Sequence, residues 1–281
     1  MDAVLSTPLL RRSELGERDV DRHRLDILVR DGSLIRIRAG VYVEATATAR
    51  LRPEEWIVLR ARALALVSVE PPLFSHQTAA ALHGLPLYRP DAQRVHVILD
   101  ERRRGGMAQT VRHRGAVGPG DVVDLAGLRV TSMVRTMSDI ARTCDFETAV
   151  CTLDGALRAL ATTTARTYDA DKAAAAIALA LATSRRSAHG GARAARALAF
   201  ADGRAQLPGE SISRIRIAEM GLRPPQLQVR VPSPSGSSYY LDFGLDDAGV
   251  WGGVRRAREV HRTRRAVRPV SRAGAPRREA A

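Results

Sequence analysis

The sequence predicts a mixed α+β protein, and three observations predict it. Residues 8–44 read as two short helices followed by an alternating, arginine-bearing hairpin. Residues 53–160 switch repeatedly between helical and strand-like spacing of apolar side chains. After an Ala-rich helical stretch, residues 208–252 run as one helix and then alternating strands. At 281 residues the chain can hold two or three small units, each with a core. Aromatics are only 4% of it, so Ala, Leu and Val must do most of the packing.

The formal charge of +14 points to an anionic partner, with nucleic acid the first candidate. Nearly all of the positive charge is arginine; Lys172 is the only lysine, a bias typical of GC-rich coding. The charge is uneven. Residues 254–281 hold ten Arg and two Glu, a net of +8, which leaves +6 for the rest of the chain. A nucleic-acid reading therefore has to rest on local pattern.

Residues 1–50 carry that pattern. A short helix is expected around Ser13, a turn at Gly16, and a second helix from about Asp19 to Arg30, closed by Gly32. Val20, Leu25, Leu28 and Val29 form its apolar side, while Arg22, Asp26 and Arg30 recur at helical spacing on another. In "LIRIRAGVYV", Leu34, Ile35 and Ile37 alternate with Arg36 and Arg38 before a turn at Gly40. A helix followed by an arginine-bearing hairpin is the arrangement of a winged helix-turn-helix, with the helix in the major groove and the wing on phosphates. Arg22 and Arg30 would face the groove, and Arg36 and Arg38 would lie on the backbone. The same pattern also suits a small α/β module with solvated arginines.

Residues 51–160 read as a second, α/β unit. Pro53 opens a helix, Ser75 is placed to cap another, and Gly84 ends it. "RVHVILDE" and "TVRHRG" read as strands around the basic turn "RRRGG", "GDVVDLAGLRVTS" reads as a hairpin, and two helices follow, the second starting near Asp145. His76 and His83 are seven residues apart, a spacing too long for a shared metal, which favours i, i+4. Cys144 and Cys151 are expected on one helix, roughly 10 Å apart, beyond disulfide reach and therefore reduced. Residues 161–207 read as two helices broken at "SAHGG", linking the front half to the last unit.

The last unit, residues 208–253, starts with a helix after Gly209 in which Ile212, Ile215 and Met220 face a core and Glu210 sits in the first turn. Strands "QLQVRVP", "SYYLDFGL" and "VWG" follow, with Asp242 in mid-strand. Helix, then antiparallel meander, then a strand aspartate is the entry to a restriction-endonuclease-like (PD-(D/E)XK) core. There, acidic residues hold a Mg2+ that polarises the scissile phosphate and activates water. Asp242 and Glu210 occupy two of the acidic positions, as catalytic and metal-binding remnants. A solvated strand carboxylate and a helix-dipole partner are the plainer roles for the same two residues.

Six segments, "GSLIRIRAGVYV", "SHQTAAALHGLPL", "RVHVIL", "GLRVTSMVRTMSDIAR", "PGESISRIRIAEMGL" and "YYLDFGL", give the chain its resemblance to a known family. Over roughly residues 8–252 it resembles actinobacterial proteins that join an AbiEi-type antitoxin winged helix to a C-terminal Vsr-like nuclease domain. The resemblance implies a third strand of the form E-F-D-G-x-x-K-Y, with further acidic ligands and a lysine. This sequence departs from that pattern after Gly253. One codon spelling of "GVRRAREVHR", read one base over, encodes E-F-D-G-R-E-K-Y-I. Residues 254–281 are accordingly expected to be a disordered, out-of-frame version of the missing strand; a genuine basic tail is the rival.

The resulting expectation is a DNA-binding, antitoxin-like transcriptional regulator with a truncated, inactive nuclease-like end. Its partners would be duplex DNA and, by resemblance, a cognate toxin; no cofactor is expected as written. The alternative is a Mg2+-dependent DNA endonuclease of the Vsr-like class. No stretch reads as a signal peptide or a membrane span, so a cytoplasmic location is expected.

Overall fold

Three antiparallel strands and three short helices make up the N-terminal portion. In chain order they are α1 (Asp2–Leu5), β1 (Leu10–Arg11), α2 (Arg12–Glu17), α3 (Arg22–Arg30), β2 (Leu34–Arg38) and β3 (Val41–Glu44), with β3 in the middle of the sheet. The computed structural model describes residues 2–99, 109–163, 167–232, 238–245 and 250–252. The basic turn at 102–106 and the tail 254–281, with its out-of-frame strand, lie outside the described residues.

Local chemistry accounts for most of these elements. The Asp21 carboxylate accepts the Arg24 N–H at 2.7 Å and sets the start of α3 at Arg22, three residues past the expected start. Such a cap is worth about 1 kcal/mol. Gly16 does not end the first helix but lies inside α2; the turn comes at Asp19, which takes the left-handed conformation (φ 59°). Gly40 (φ 78°) turns the hairpin as expected. Leu15, Leu25, Leu34 and Tyr42 pack as a small cluster on one side of this sheet. Val4, Ile37, Val41 and Val43 join the main core on the other.

The chain continues through α4 (Ala45–Thr48) and α5 (Pro53–Val67), the latter with Pro at its start and the Arg52 N–H donating to Glu55 at 2.8 Å. Then come β4 (Leu73–Phe74), α6 (His76–Leu82), β5 (Val95–Ile98), β6 (Thr110–His113), β7 (Val122–Leu125) and β8 (Leu128–Thr131), which form a five-stranded sheet in the order β6-β5-β4-β8-β7. The β7–β8 hairpin turns on Ala126 and Gly127, both with positive φ. The pair β5–β6 corrects an expectation: the strands are parallel, so no tight turn can join them. Four-residue strands hold too little alternation to report direction.

Helices α7 (Met133–Thr143), α8 (Phe146–Ala161), α9 (Ala170–Ser184) and α10 (Gly191–Phe200) pack on one another, and α7 packs on α6, which lies on the sheet. The segment read as a linker puts Ala173, Ala176, Ala180, Ala194, Ala197 and Leu198 into the same core cluster as α7 and α8. Gly155 of α8 lies against Pro86, where a Cβ would fall 2.4 Å from the ring Cδ. Cys144 ends α7 while Cys151 lies in α8, so the two do not share a helix as expected; both are free thiols.

At the C-terminal end, α11 (Pro208–Glu219) precedes β9 (Gln226–Pro232), β10 (Ser238–Leu245) and β11 (Val250–Gly252), antiparallel in the order β11-β10-β9. Ile215 is buried as expected, but Met220 is 66% exposed, because it caps the helix beyond the docked face. Asp154 of α8 anchors α11: its Oδ2 accepts Ser211 Oγ at 2.7 Å and Arg214 Nη1 at 2.8 Å, and its Oδ1 accepts the Asp202 N–H at 2.7 Å. Among the described residues no helix is long and apolar enough to cross a membrane.

A buried charge network ties the sheet to the helices. Arg135 on α7 donates from Nε to Asp139 at 3.0 Å, and from Nη1 to Asp121 at 2.9 Å and to the Ala116 carbonyl at 2.8 Å. Arg186, after α9, closes on Asp121 at 2.7 Å, and Arg142 reaches both Asp139 (3.3 Å) and the His189 carbonyl (2.9 Å). Arg135→Ala would leave the buried Asp139 and Asp121 with one arginine each, Arg142 and Arg186. Thermal or urea unfolding should show a loss of about 3–5 kcal/mol, the range for breaking a buried pair from one side. A loss under about 1 kcal/mol would show that the network is not the brace described.

Candidate functional site

The exposed cationic face of the N-terminal portion is built by α3 and the β2–β3 hairpin. Leu25 turns inward to Leu15, Leu34 and Tyr42, which rotates Arg22, Arg24 and Arg30 outward. All three are exposed; the side chains of Arg22 and Arg30 have no hydrogen-bond or ionic partner among the described residues, while Arg24 helps hold the Asp31 carboxyl below its ordinary pKa. Arg22, Asp26 and Arg30 follow each other at four-residue intervals, so they line one face over about 12 Å.

On the hairpin, Arg36 is exposed while Ile37 is 2% exposed and faces the core. A register shift between Arg36 and Arg38 separates the two arginines. Arg38 leans back onto the body, with Nη2 3.5 Å from Thr110 Oγ1 on β6, and burial lowers its pKa. Of the four arginines singled out by sequence, three face solvent and Arg38 is half-buried.

The acidic pair occupies different environments. Glu210, in the first turn of α11, is 2% exposed, and its Oε2 accepts the Gln206 N–H at 2.8 Å. It thus holds the helix entry in the manner of a capping box. The Gln206 side chain bridges to Gln228 on β9 at 2.8 Å. The β9–β10 register, Leu241 opposite Val229 and Phe243 opposite Leu227, sets half-buried Asp242 across from Gln228. Lys172 lies elsewhere, on the first turn of α9, paired with Asp169 at 3.4 Å. Among the described residues no group of three or more His, Cys, Asp or Glu could hold a metal ion.

Sequence reasoning missed a histidine stack. His76 lies on His113 with ring centroids 3.4 Å apart, and His96 Nδ1 meets His113 Nε2 at 2.9 Å. The three come from the start of α6, β5 and β6. His83, coupled to His76 in the sequence reading, instead meets the Thr131 carbonyl at 2.7 Å. His76 is 3% exposed, takes the left-handed backbone region (φ 51°), bonds Ser75 Oγ through Nδ1 at 3.0 Å, and leaves Nε2 without a partner. Burial and its histidine and arginine neighbours hold its pKa well below the usual value; burial first, with the other imidazole and Arg142, brings His113 to about 4. Burial likewise brings His96 to about 4, against an opposing pull from Asp91. The His96–His113 bond needs one ring to donate and the other to accept, which double protonation forbids. A signal was present in the sequence, one histidine in each of "RVHV" and "VRHR", but joining them needed the parallel pairing.

No family model matches the chain. It is 29% identical over 230 residues to uncharacterized protein Rv2248 of Mycobacterium tuberculosis (strain ATCC 25618 / H37Rv), covering 80% of this chain and 75% of that one. The same figures hold for uncharacterized protein MT2308 of M. tuberculosis strain CDC 1551 / Oshkosh. Among solved structures it is similar to the RV2827C protein of M. tuberculosis, at 16% identity and a TM-score of 0.39, over 70% of this chain and 78% of that chain.

The histidine stack predicts a pH dependence with a definite sign. The folded state resists protonation of His76, His96 and His113, whereas the unfolded chain takes up protons below about pH 6.5. Stability from the stack is therefore full above about pH 6.5 and is lost as pH falls toward 4. Asp154, raised to about 6 chiefly by burial, opposes this, since its folded form favours the proton over the same interval. Asp139, raised by burial as well, adds to that opposition; three histidines outweigh the two carboxyls, so the melting midpoint should drop by about 5 °C or more between pH 7 and pH 5. His113→Gln should flatten the dependence; an unchanged slope would remove the stack from the account.

Proposed function

We propose that this chain is a DNA-binding transcriptional regulator of the AbiEi antitoxin-like kind, with a nuclease-like C-terminal end that does not cut. The observation that carries the reading is the N-terminal element order. Helix, strand, two helices and a two-stranded hairpin follow one another, with β1 and β2 flanking β3, and the second helix of the pair and the hairpin both expose unpaired arginines. This is the order of a winged helix-turn-helix. In that fold α3 enters the major groove, where an arginine can donate two parallel bonds to guanine O6 and N7. Arg22 and Arg30 stand at the two ends of α3, and exposed Asp26 between them is suited to accept from a cytosine amine. Arg36 on the hairpin would lie on backbone phosphate.

The inactive end rests on the state of the acidic residues. Glu210 is engaged as a buried cap, and the only lysine is held on α9. An attacking water would lack both a clustered metal site and a cation to stabilise charge developing on the phosphate. A cognate toxin as second partner belongs to the same proposal and rests on the family resemblance alone.

Selection of bound fragments from random duplex pools by the full-length chain should return a preferred sequence. The Arg22→Ala, Arg30→Ala double variant should bind that sequence at least about tenfold more weakly, with a smaller loss on unrelated DNA. Equal losses on both would make these arginines phosphate contacts and displace α3 from the groove.

Supercoiled plasmid incubated with the chain and Mg2+ should stay intact. Nicking that disappears on Asp242→Ala would replace the regulator reading with the endonuclease.

A further inference from the structure

The edge strand β6 carries arginine on the face that meets the hairpin. Its residues alternate, and His113 points toward α6, where its ring stacks on His76. Val111 shares that face, so Thr110 and Arg112 lie on the opposite one. Thr110 is the residue on which Arg38 of the hairpin rests, at 3.5 Å. Same-face neighbours on a strand are roughly 6.6 Å apart, so Arg112 stands one strand repeat from the point where the Arg38 guanidinium lies. A row Arg36, Arg38, Arg112 thus runs from the hairpin onto the sheet edge.

The charge balance along this row resembles that of Arg22 and Arg30 on α3 and differs from that of the ion-paired arginines. Arg135, Arg142, Arg186, Arg204 and Arg214 each meet a carboxylate within 3.3 Å. Arg38 is partly desolvated, and burial alone shifts it. The Arg112 side chain is half-buried and has neither a hydrogen bond nor an ion pair among the described residues. Adjacent like charges that meet no counter-charge among the described residues repel one another, and a polyanion laid across them relieves that repulsion.

We propose that β6 continues the phosphate-binding surface of the hairpin, so that the chain grips duplex backbone beyond the footprint of α3 and the hairpin, with Arg38 and Arg112 as the added contacts. This rests on the DNA-binding reading above and extends it to a surface outside the N-terminal portion.

Phosphate contacts are indifferent to sequence, so a GC-rich duplex of arbitrary sequence serves as probe, in lengths of about 12 and about 30 base pairs. Fluorescence anisotropy with the full chain should show that Arg112→Ala weakens binding to the long duplex by about three- to tenfold. It should also reduce the slope of log K against log salt by about 0.9, while leaving the short duplex little affected. Arg112→Lys should restore both. Arg36→Ala should weaken both lengths. Arg112 holds no partner, so its alanine variant should melt with the parent and exclude misfolding as the cause.

If Arg112→Ala matches the parent on the long duplex while Arg36→Ala does not, the β6 surface is wrong and the DNA-binding reading stands. Failure of Arg112→Lys to restore binding would likewise overturn it, since the role is one of charge. A parent chain with no salt-dependent duplex binding would remove the DNA-binding reading itself, and the β6 surface with it.

Discussion

Arg135 is the residue on which the arrangement of sheet and helices depends. It lies between two carboxylates from different parts of the chain, Asp139 one turn along its own helix and Asp121 at the entry to β7. Burying one guanidinium with two carboxylates leaves a net charge of −1, and Arg142 and Arg186, pairing from either side, bring the set of five groups to +1, with the Arg186 side chain 47% exposed to solvent. The sheet edge, the central helix α7 and the turn between α9 and α10 are consequently fixed as a set. An apolar contact would tolerate sliding; a chain of charge-assisted hydrogen bonds accepts one geometry. Desolvation still pushes the Asp139 carboxyl up against the pull of its two arginines.

The docking of α11 repeats this logic on a smaller scale. Asp154 is almost wholly buried, and its oxygens are filled by a hydroxyl, a guanidinium and a backbone N–H. Arg214 also spans to the Phe200 carbonyl at 2.6 Å and lies over the Phe200 ring. Glu210 sits one residue before Ser211, inside the same sealed joint. Its burial follows from the way α11 is fastened to α8. A carboxylate that must stay fixed to hold a helix start is poorly placed to exchange ligands with a cation.

Much of the local structure was legible in the sequence, and for definable reasons. Capping and turn residues announced themselves: Asp145 starts α8, Gly40 turns the β2–β3 hairpin, and Pro53 opens α5. The order of α11 and the strands after it was also readable, because α11, β9 and β10 are long enough to show their periods. What stayed hidden depends on contacts between distant segments. The parallel direction of β6, the meeting of His76 with His96 and His113, and the incorporation of α9 and α10 into the main core leave no mark on local spacing. Arg38 shows the limit within the candidate site. Alternation placed it beside Arg36, and a one-residue irregularity in the hairpin turned it toward β6.

The N-terminal portion shares its interior with the rest of the chain. Val4 and Val41 are fully buried in the main core, Arg62 of α5 clasps the carbonyls of Val4 and Thr7 at 2.7 and 2.8 Å, and Arg11 reaches the carbonyl of Leu66 at 2.9 Å. A head joined in this way is no bead on a string. Cutting it free would lay bare apolar surface on both halves, so recombination between genes cannot easily trade one head for another. On the proposed DNA-binding reading, a lineage with this architecture would change its target by point substitution on the outward face of α3, while Leu25 beneath it stays fixed. The spacing from that face to the body would be inherited unchanged, as a ruler is, through every such substitution.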